Sequence, residues 1–152
     1  MQLKSSVIIY ADGSSRGNPG PAGIGLAIFA ADNLEKPVKE ISKYIGITTN
    51  NVAEYEAVIH ALKWMVMENI EHATIKIDSE LVYNQISGKY RVKSGRMAPM
   101  IRRIRDLKMQ TKSLLILLIP REENKSANRL AQRASKQVKV KHQSFQQKQL
   151  ID

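Results

Sequence analysis

Hydrophobic and polar positions change period several times along the chain, and each change marks an element. Val7, Ile8 and Ile9 form a β-branched run that ends on Asp12. The Gly, Ser, Asn and Pro residues over 13–20 then have the chemistry of a tight turn. Ala22–Phe29 predicts a second strand, whose glycines at 23 and 25 leave room for another backbone to approach. After a turn over Ala30–Lys36, Val38–Ile47 predicts a third strand with apolar positions at Val38, Ile41, Tyr44 and Ile45. Short connections make these three an antiparallel meander. The period then turns helical. Val52, Tyr55, Ile59, Leu62 and Val66 mark one face of a long helix over Val52–Met67. Ala73–Ile77 predicts a short strand ending on Asp78, and Ser79–Ser87 a short helix. Gly88–Gly95 is a basic loop, and Pro99 opens a helix running to Gln110. Leu114–Ile119 predicts a buried apolar strand. Asn124–Lys136 predicts a last helix with Ala127, Leu130, Ala131 and Ala134 on one side.

The order βββαβααβα combines a meander with strand–helix alternation, which calls for an α/β domain with a mixed sheet and helices packed on it. At 152 residues the chain is expected to form one domain over residues 1–136, followed by a basic, disordered tail over 137–152, where Lys, Gln and Ser dominate without periodicity. No window approaches a membrane span, and Lys4 leads directly into strand pattern rather than a signal peptide. The absence of cysteine excludes disulfides and thiolate metal sites and agrees with a cytoplasmic location. The net charge of +10 changes the picture more. Four lysines against Asp152 lie from Lys136 onward, so residues 1–135 still carry +7. A polyanionic partner follows, and nucleic acid fits better than membrane because no strongly amphipathic basic helix stands out.

Candidate chemistry lies in three acidic residues at element boundaries: Asp12, Glu54 and Asp78. Each also has a purely local reading. Asp12 suits an Asx-type turn, Glu54 a capping box with Asn51, and Asp78 an N-cap for the short helix. Taken together, three carboxylates beside a glycine-rich loop suit a hard divalent cation such as Mg2+ or Mn2+.

Four segments carry a resemblance: Tyr10-Ala-Asp-Gly-Ser-Ser-Arg-Gly-Asn-Pro-Gly20, Thr49-Asn-Asn-Val-Ala-Glu-Tyr-Glu-Ala57, Ile77-Asp-Ser-Glu80 and Pro120-Arg-Glu-Glu-Asn-Lys-Ser-Ala-Asn-Arg-Leu-Ala131. In this order, over roughly residues 5–135, the chain resembles the ribonuclease HI family, in its compact bacterial and archaeal form without a basic handle. The resemblance implies the ribonuclease H-like fold, a five-stranded sheet in the order 3-2-1-4-5. It implies hydrolysis of the RNA strand of RNA–DNA hybrids to 5′-phosphate and 3′-hydroxyl ends by a monomer. It also implies two divalent metal ions, Mg2+ or Mn2+, on Asp12, Glu54 and Asp78, one activating water and the other stabilising the leaving oxygen.

The family's fourth carboxylate, an Asp in the last helix, is replaced here by Asn128. An amide oxygen can ligate but adds no charge, so weaker metal binding and a shift toward Mn2+ are expected. A second reading follows from this: a catalytically impaired homologue that binds hybrids without cutting them. A resolvase- or integrase-like nuclease on the same fold is a further rival. The loop before the last helix also lacks the His that many relatives carry, leaving Arg121 or Glu122 as substitutes. His60, His72 and His142 lie elsewhere. By the resemblance, Asn18, Asn50 and Asn51 with the backbone of Ser14, Ser15, Arg16 and Gly17 read 2′-hydroxyls, and Thr49 holds a DNA phosphate. Lys89, Tyr90, Arg91 and Lys93, with Arg96, offer a basic loop for the DNA strand. Trp64 is expected in the core rather than stacked on a base.

Overall fold

The computed structural model describes residues 6–88, 95 and 97–136. Lys89, Tyr90, Arg91, Lys93 and Arg96 of the basic loop, and the tail over 137–152, lie outside the described residues.

Five strands form one mixed sheet in the order β3-β2-β1-β4-β5, the order implied by the resemblance. The strands are β1 (Ser6–Ser15), β2 (Gly20–Ala30), β3 (Lys39–Thr48), β4 (His72–Ile77) and β5 (Ser113–Leu118). The first three pair antiparallel as the meander predicts, and β4 and β5 join in parallel. Parallel neighbours need crossovers. Helix α1 (Asn50–Met67) makes the first, and α2 (Glu80–Ile86) with α3 (Met97–Met109) the second. A single 3-10 turn (Arg121–Glu123) then leads into α4, residues 125–136.

Alternation along β1 sends Val7, Ile9 and Ala11 to one face, where they join Ile24, Leu26 and Ile28 of β2 under α1. The core lies between this face and α1, with Ile101 and Ile104 of α3 joining the same cluster. Helix α1 is therefore buried over more than the predicted stripe. Ala53, Ala57, Val58, Ala61 and Met65 are inside with Tyr55, Ile59 and Leu62, whereas Val52 and Val66 are only half-buried. Each fully buried Leu, Ile or Val in such a core contributes roughly 1.5–3 kcal/mol. Trp64 packs at the edge of this core, as expected.

Several boundaries differ from the periodicity reading. Strand β1 does not end on Asp12 but continues to Ser15, because β2 is long enough to pair Asp12 with Gly25 and Ser15 with Ala22. Thr49, not Asn51, caps α1: its Oγ1 accepts from the Val52 backbone N–H at 3.2 Å. At the other end Asn69 takes φ 55, and Ile70 N–H closes the helix on the Met65 carbonyl. Ser79 caps α2 in place of Asp78. Helix α3 begins two residues before Pro99, which occupies the first turn, where its missing N–H costs no helical bond. Strand β5 is not buried. It is an edge strand, with Leu115 53% and Leu118 40% exposed. No helix among the described residues is long and apolar enough to cross a membrane.

Candidate active site

The pairing of β1 with β4 stops at Tyr10–Lys76. Asp12 follows on β1, still held by β2, and Asp78 follows the last residue of β4. Glu54 arrives from the start of α1. Gly13 makes that approach possible: a Cβ there would sit 2.1 Å from the Ala53 carbonyl oxygen and 2.6 Å from the Glu54 nitrogen. The missing side chain lets the helix backbone rest directly on the strand.

One oxygen from each of Asp12, Glu54 and Asp78 lies within 4.8 Å of the others. The local readings of Glu54 and Asp78 fall away, since Thr49 and Ser79 supply the two helix caps, and that of Asp12 does because it lies within β1. Burial pushes the Asp12 carboxyl up to about 6; the Asn128 hydrogen bond opposes this and the Asp78 charge adds to it. Burial likewise pushes Glu54 up to about 7, with the Ser79 hydroxyl opposing and the charges of Asp12 and Asp78 adding. The exposed Arg121 guanidinium lowers both weakly. Carboxylates crowded together out of water hold protons unless a cation replaces them. An all-oxygen set of this size fits Mg2+ or Mn2+ and suits softer metals poorly.

Asn128 reaches the cluster from α4. Gly25 and Gly23 bring that helix down onto β2: a Cβ on Gly25 would lie 2.2 Å from the Ala127 carbonyl oxygen, and one on Gly23 2.7 Å from that of Ala131. The expected close approach at these two glycines is thus made by α4, whose Ala127, Leu130, Ala131 and Ala134 are all buried. Asn128 Nδ2 donates to Asp12 Oδ2 at 2.8 Å.

The turn between β1 and β2 joins the start of α1 through two asparagines. Asn18 Oδ1 accepts from the Asn50 backbone N–H at 3.0 Å, and Asn50 Oδ1 accepts from the Ser15 N–H at 3.3 Å. Ser14 and Ser15 belong to β1; Arg16, Gly17 and Asn18 are exposed, and Thr49 and Asn51 are half-buried beside them. His60 takes no part, its Nδ1 lying 2.8 Å from the Glu56 carbonyl oxygen within α1.

Sequence reasoning missed two groups. Ser79 touches Glu54 while capping α2. Asn124, fully buried, donates through Nδ2 to the Ala11 carbonyl at 3.0 Å and to Asp78 Oδ2 at 2.7 Å. Its place just before a helix signals only a cap.

Residues 10–134 match the family model described as Reverse transcriptase-like. The crystal structure of ribonuclease H1 from Halobacterium salinarum superposes with a TM-score of 0.82 at 35% identity, over 86% of this chain and 97% of that one. The chain belongs to the ribonuclease H-like family. Another member, the ribonuclease H1 LC11 solved in complex with an RNA/DNA hybrid, gives a TM-score of 0.80 at 40% identity, over 87% of this chain and 98% of that one. A bifunctional protein of Mycobacterium tuberculosis is 39% identical over 125 residues, 82% of this chain but 34% of its own length. The ribonuclease H-like chain described here thus spans about a third of that relative.

Proposed function

We propose that the chain is a metal-dependent endonuclease that hydrolyses the RNA strand of RNA–DNA hybrids. The observation that carries the reading is the convergence of Asp12, Glu54 and Asp78 within 4.8 Å, two of them with raised proton affinity. These three would hold two divalent ions, Mg2+ or Mn2+, with the Asn128 carboxamide beside Asp12. Bound there, the ions supply Lewis acidity for an attacking water and for the leaving 3′ oxygen. The products would carry 5′-phosphate and 3′-hydroxyl ends.

The chain's own residues select the substrate. Asn18 and Asn50 spend their carbonyl oxygens on backbone N–H groups, which leaves their NH2 groups as fixed donors. Donors of that kind suit sugar hydroxyl oxygens and minor-groove acceptors, where RNA differs from DNA. Asn51 and the backbone of Ser14, Ser15, Arg16 and Gly17 would add contacts beside them. Thr49 accepts a bond from Val52, and its hydroxyl hydrogen stays available for a phosphate. Lys89, Tyr90, Arg91 and Lys93 would grip the DNA strand, in keeping with a +10 chain. Residues 1–136 would act as one domain and as a monomer in the cytoplasm, a setting that a cysteine-free chain suits.

The decisive experiment is cleavage of a labelled RNA–DNA hybrid in Mg2+ and separately in Mn2+. Duplex DNA, single-stranded RNA and an Asp12→Asn variant serve as controls. Cutting of the hybrid alone, lost in the variant, supports the reading. Silence in both metals refutes it.

A further inference from the structure

Asn124 sits where β1, β4 and α4 meet, with no exposed surface. Both hydrogens of its Nδ2 have acceptors: the carbonyl of Ala11, the residue before Asp12, and Oδ2 of Asp78 itself. That assignment is chemically forced. Rotating the amide would set its oxygen against a carbonyl and a carboxylate, two acceptors with no hydrogen between them. The cost appears on the other side of the group, where Oδ1 is buried and has no partner among the described residues. A side chain present only to fill space or start a helix would not leave a buried carbonyl oxygen unpaired, since apolar residues of similar size avoid that penalty. The donors are what the site gains.

We propose that Asn124 is a positioning residue for the carboxylate cluster, tying the main chain of β1 at Ala11 to the Asp78 carboxylate. The bridge lies just beyond the last β1–β4 pair, so it links the main chain before Asp12 to Asp78 at the point where no ladder bond does. It also occupies Asp78 Oδ2, which restrains the rotation of that carboxylate beside Asp12 and Glu54. Groups that orient a ligating carboxylate in this way commonly matter about 10–100-fold for metal affinity or activity. The inference rests on the reading of the cluster as a divalent-metal site.

The test titrates Mn2+ into the 152-residue chain without substrate, following free Mn2+ by electron paramagnetic resonance, and measures kcat and KM on the hybrid separately. Asn124→Ala removes the bridge. Asn124→Ser also removes it but supplies a hydroxyl able to cap α4, so it remains informative if the alanine variant unfolds. Mn2+ affinity about 10-fold weaker and kcat about 10–100-fold lower are expected in both, with KM for the hybrid within about twofold. Mn2+ affinity within twofold of the parent in a folded variant overturns the proposal, whatever happens to its melting temperature. A parent that binds no Mn2+ overturns the metal reading and this inference with it. A parent that binds but does not cut overturns the nuclease reading alone, and the Mn2+ titration then decides the role of Asn124.

Discussion

Asn128 donates an amide hydrogen to Asp12 at 2.8 Å, so position 128 meets the first carboxylate of the cluster as a neutral hydrogen-bond donor. The bond lowers the proton affinity that burial raises in Asp12. A carboxylate at position 128 would do the opposite, meeting a buried like charge at hydrogen-bond distance. The chain trades a potential anionic ligand for a quieter metal-free state.

Asn128→Asp should therefore destabilise the metal-free protein at pH 8 by about 1–3 kcal/mol, the scale of one or two pH units of proton affinity. With Mg2+ present it should bind the ion more tightly and cut hybrids faster, with a smaller gain in Mn2+. Melting curves in EDTA and initial rates in each metal check both halves. A variant slower than the parent in Mg2+ would remove position 128 from the ion site.

The raised carboxyls set a pH dependence with a definite sign. Asp12 moves up from 3.8 to about 6 and Glu54 from 4.5 to about 7. Between about pH 4 and 7 the folded metal-free protein keeps protons that the unfolded chain releases, so stability falls as pH rises through that window. At about 1.4 kcal/mol per pH unit, the Asp12 change alone amounts to about 3 kcal/mol. Saturating Mg2+ should abolish the fall, because the cation takes over from the protons. Thermal melts from pH 4 to 8, with EDTA and with Mg2+, give the comparison; a metal-free melting temperature flat across the range would contradict it.

Gly13→Ala should cost 2 kcal/mol or more, roughly the upper range for overpacking, because the new Cβ meets backbone rather than a movable side chain. Hybrid cleavage should fall further than stability explains, since the strain displaces Glu54. Gly95→Ala is the control: its Cβ meets nothing within 4 Å among the described residues, and the change should stay within about 0.5 kcal/mol. Denaturant unfolding of both variants settles the contrast, and equal effects would remove the close-approach argument.

The three carboxylates were legible because each stands where the sequence pattern changes: after the apolar run Val7–Ile9, at the start of the long helical stretch, and after Ala73–Ile77. The glycines at 23 and 25 were legible as points of approach, and the approaching element proved to be α4, whereas Gly13 read only as part of a turn. Strand β5 was misread as buried because periodicity does not tell which apolar run lies at the sheet edge. Asp12 was placed at a strand end because the local turn residues were visible and the length of the β2 partner was not. Asn124 was invisible for a deeper reason. Its acceptors lie 113 and 46 residues away, and nothing local distinguishes it from an ordinary cap.

The asparagine pair at the β1–β2 turn allows binding to be separated from chemistry. In Asn18→Asp and Asn50→Asp, an oxygen remains to accept the Asn50 or Ser15 N–H, and a negative charge near the start of α1 is tolerated by the helix dipole. What each variant loses is the outward NH2 donor, replaced by an anion facing an anionic ligand. KM for the hybrid should rise about 10-fold or more for either change, the order expected when a charged group replaces a recognition donor. Melting temperature and kcat at saturating hybrid should move little. Steady-state kinetics on hybrids carrying a single 2′-deoxy substitution in the RNA strand would locate the contact, because the parent should lose affinity there and the variants should not lose it twice. Full additivity of the two losses would place the asparagines away from the 2′-hydroxyls and leave them only the shaping of the turn.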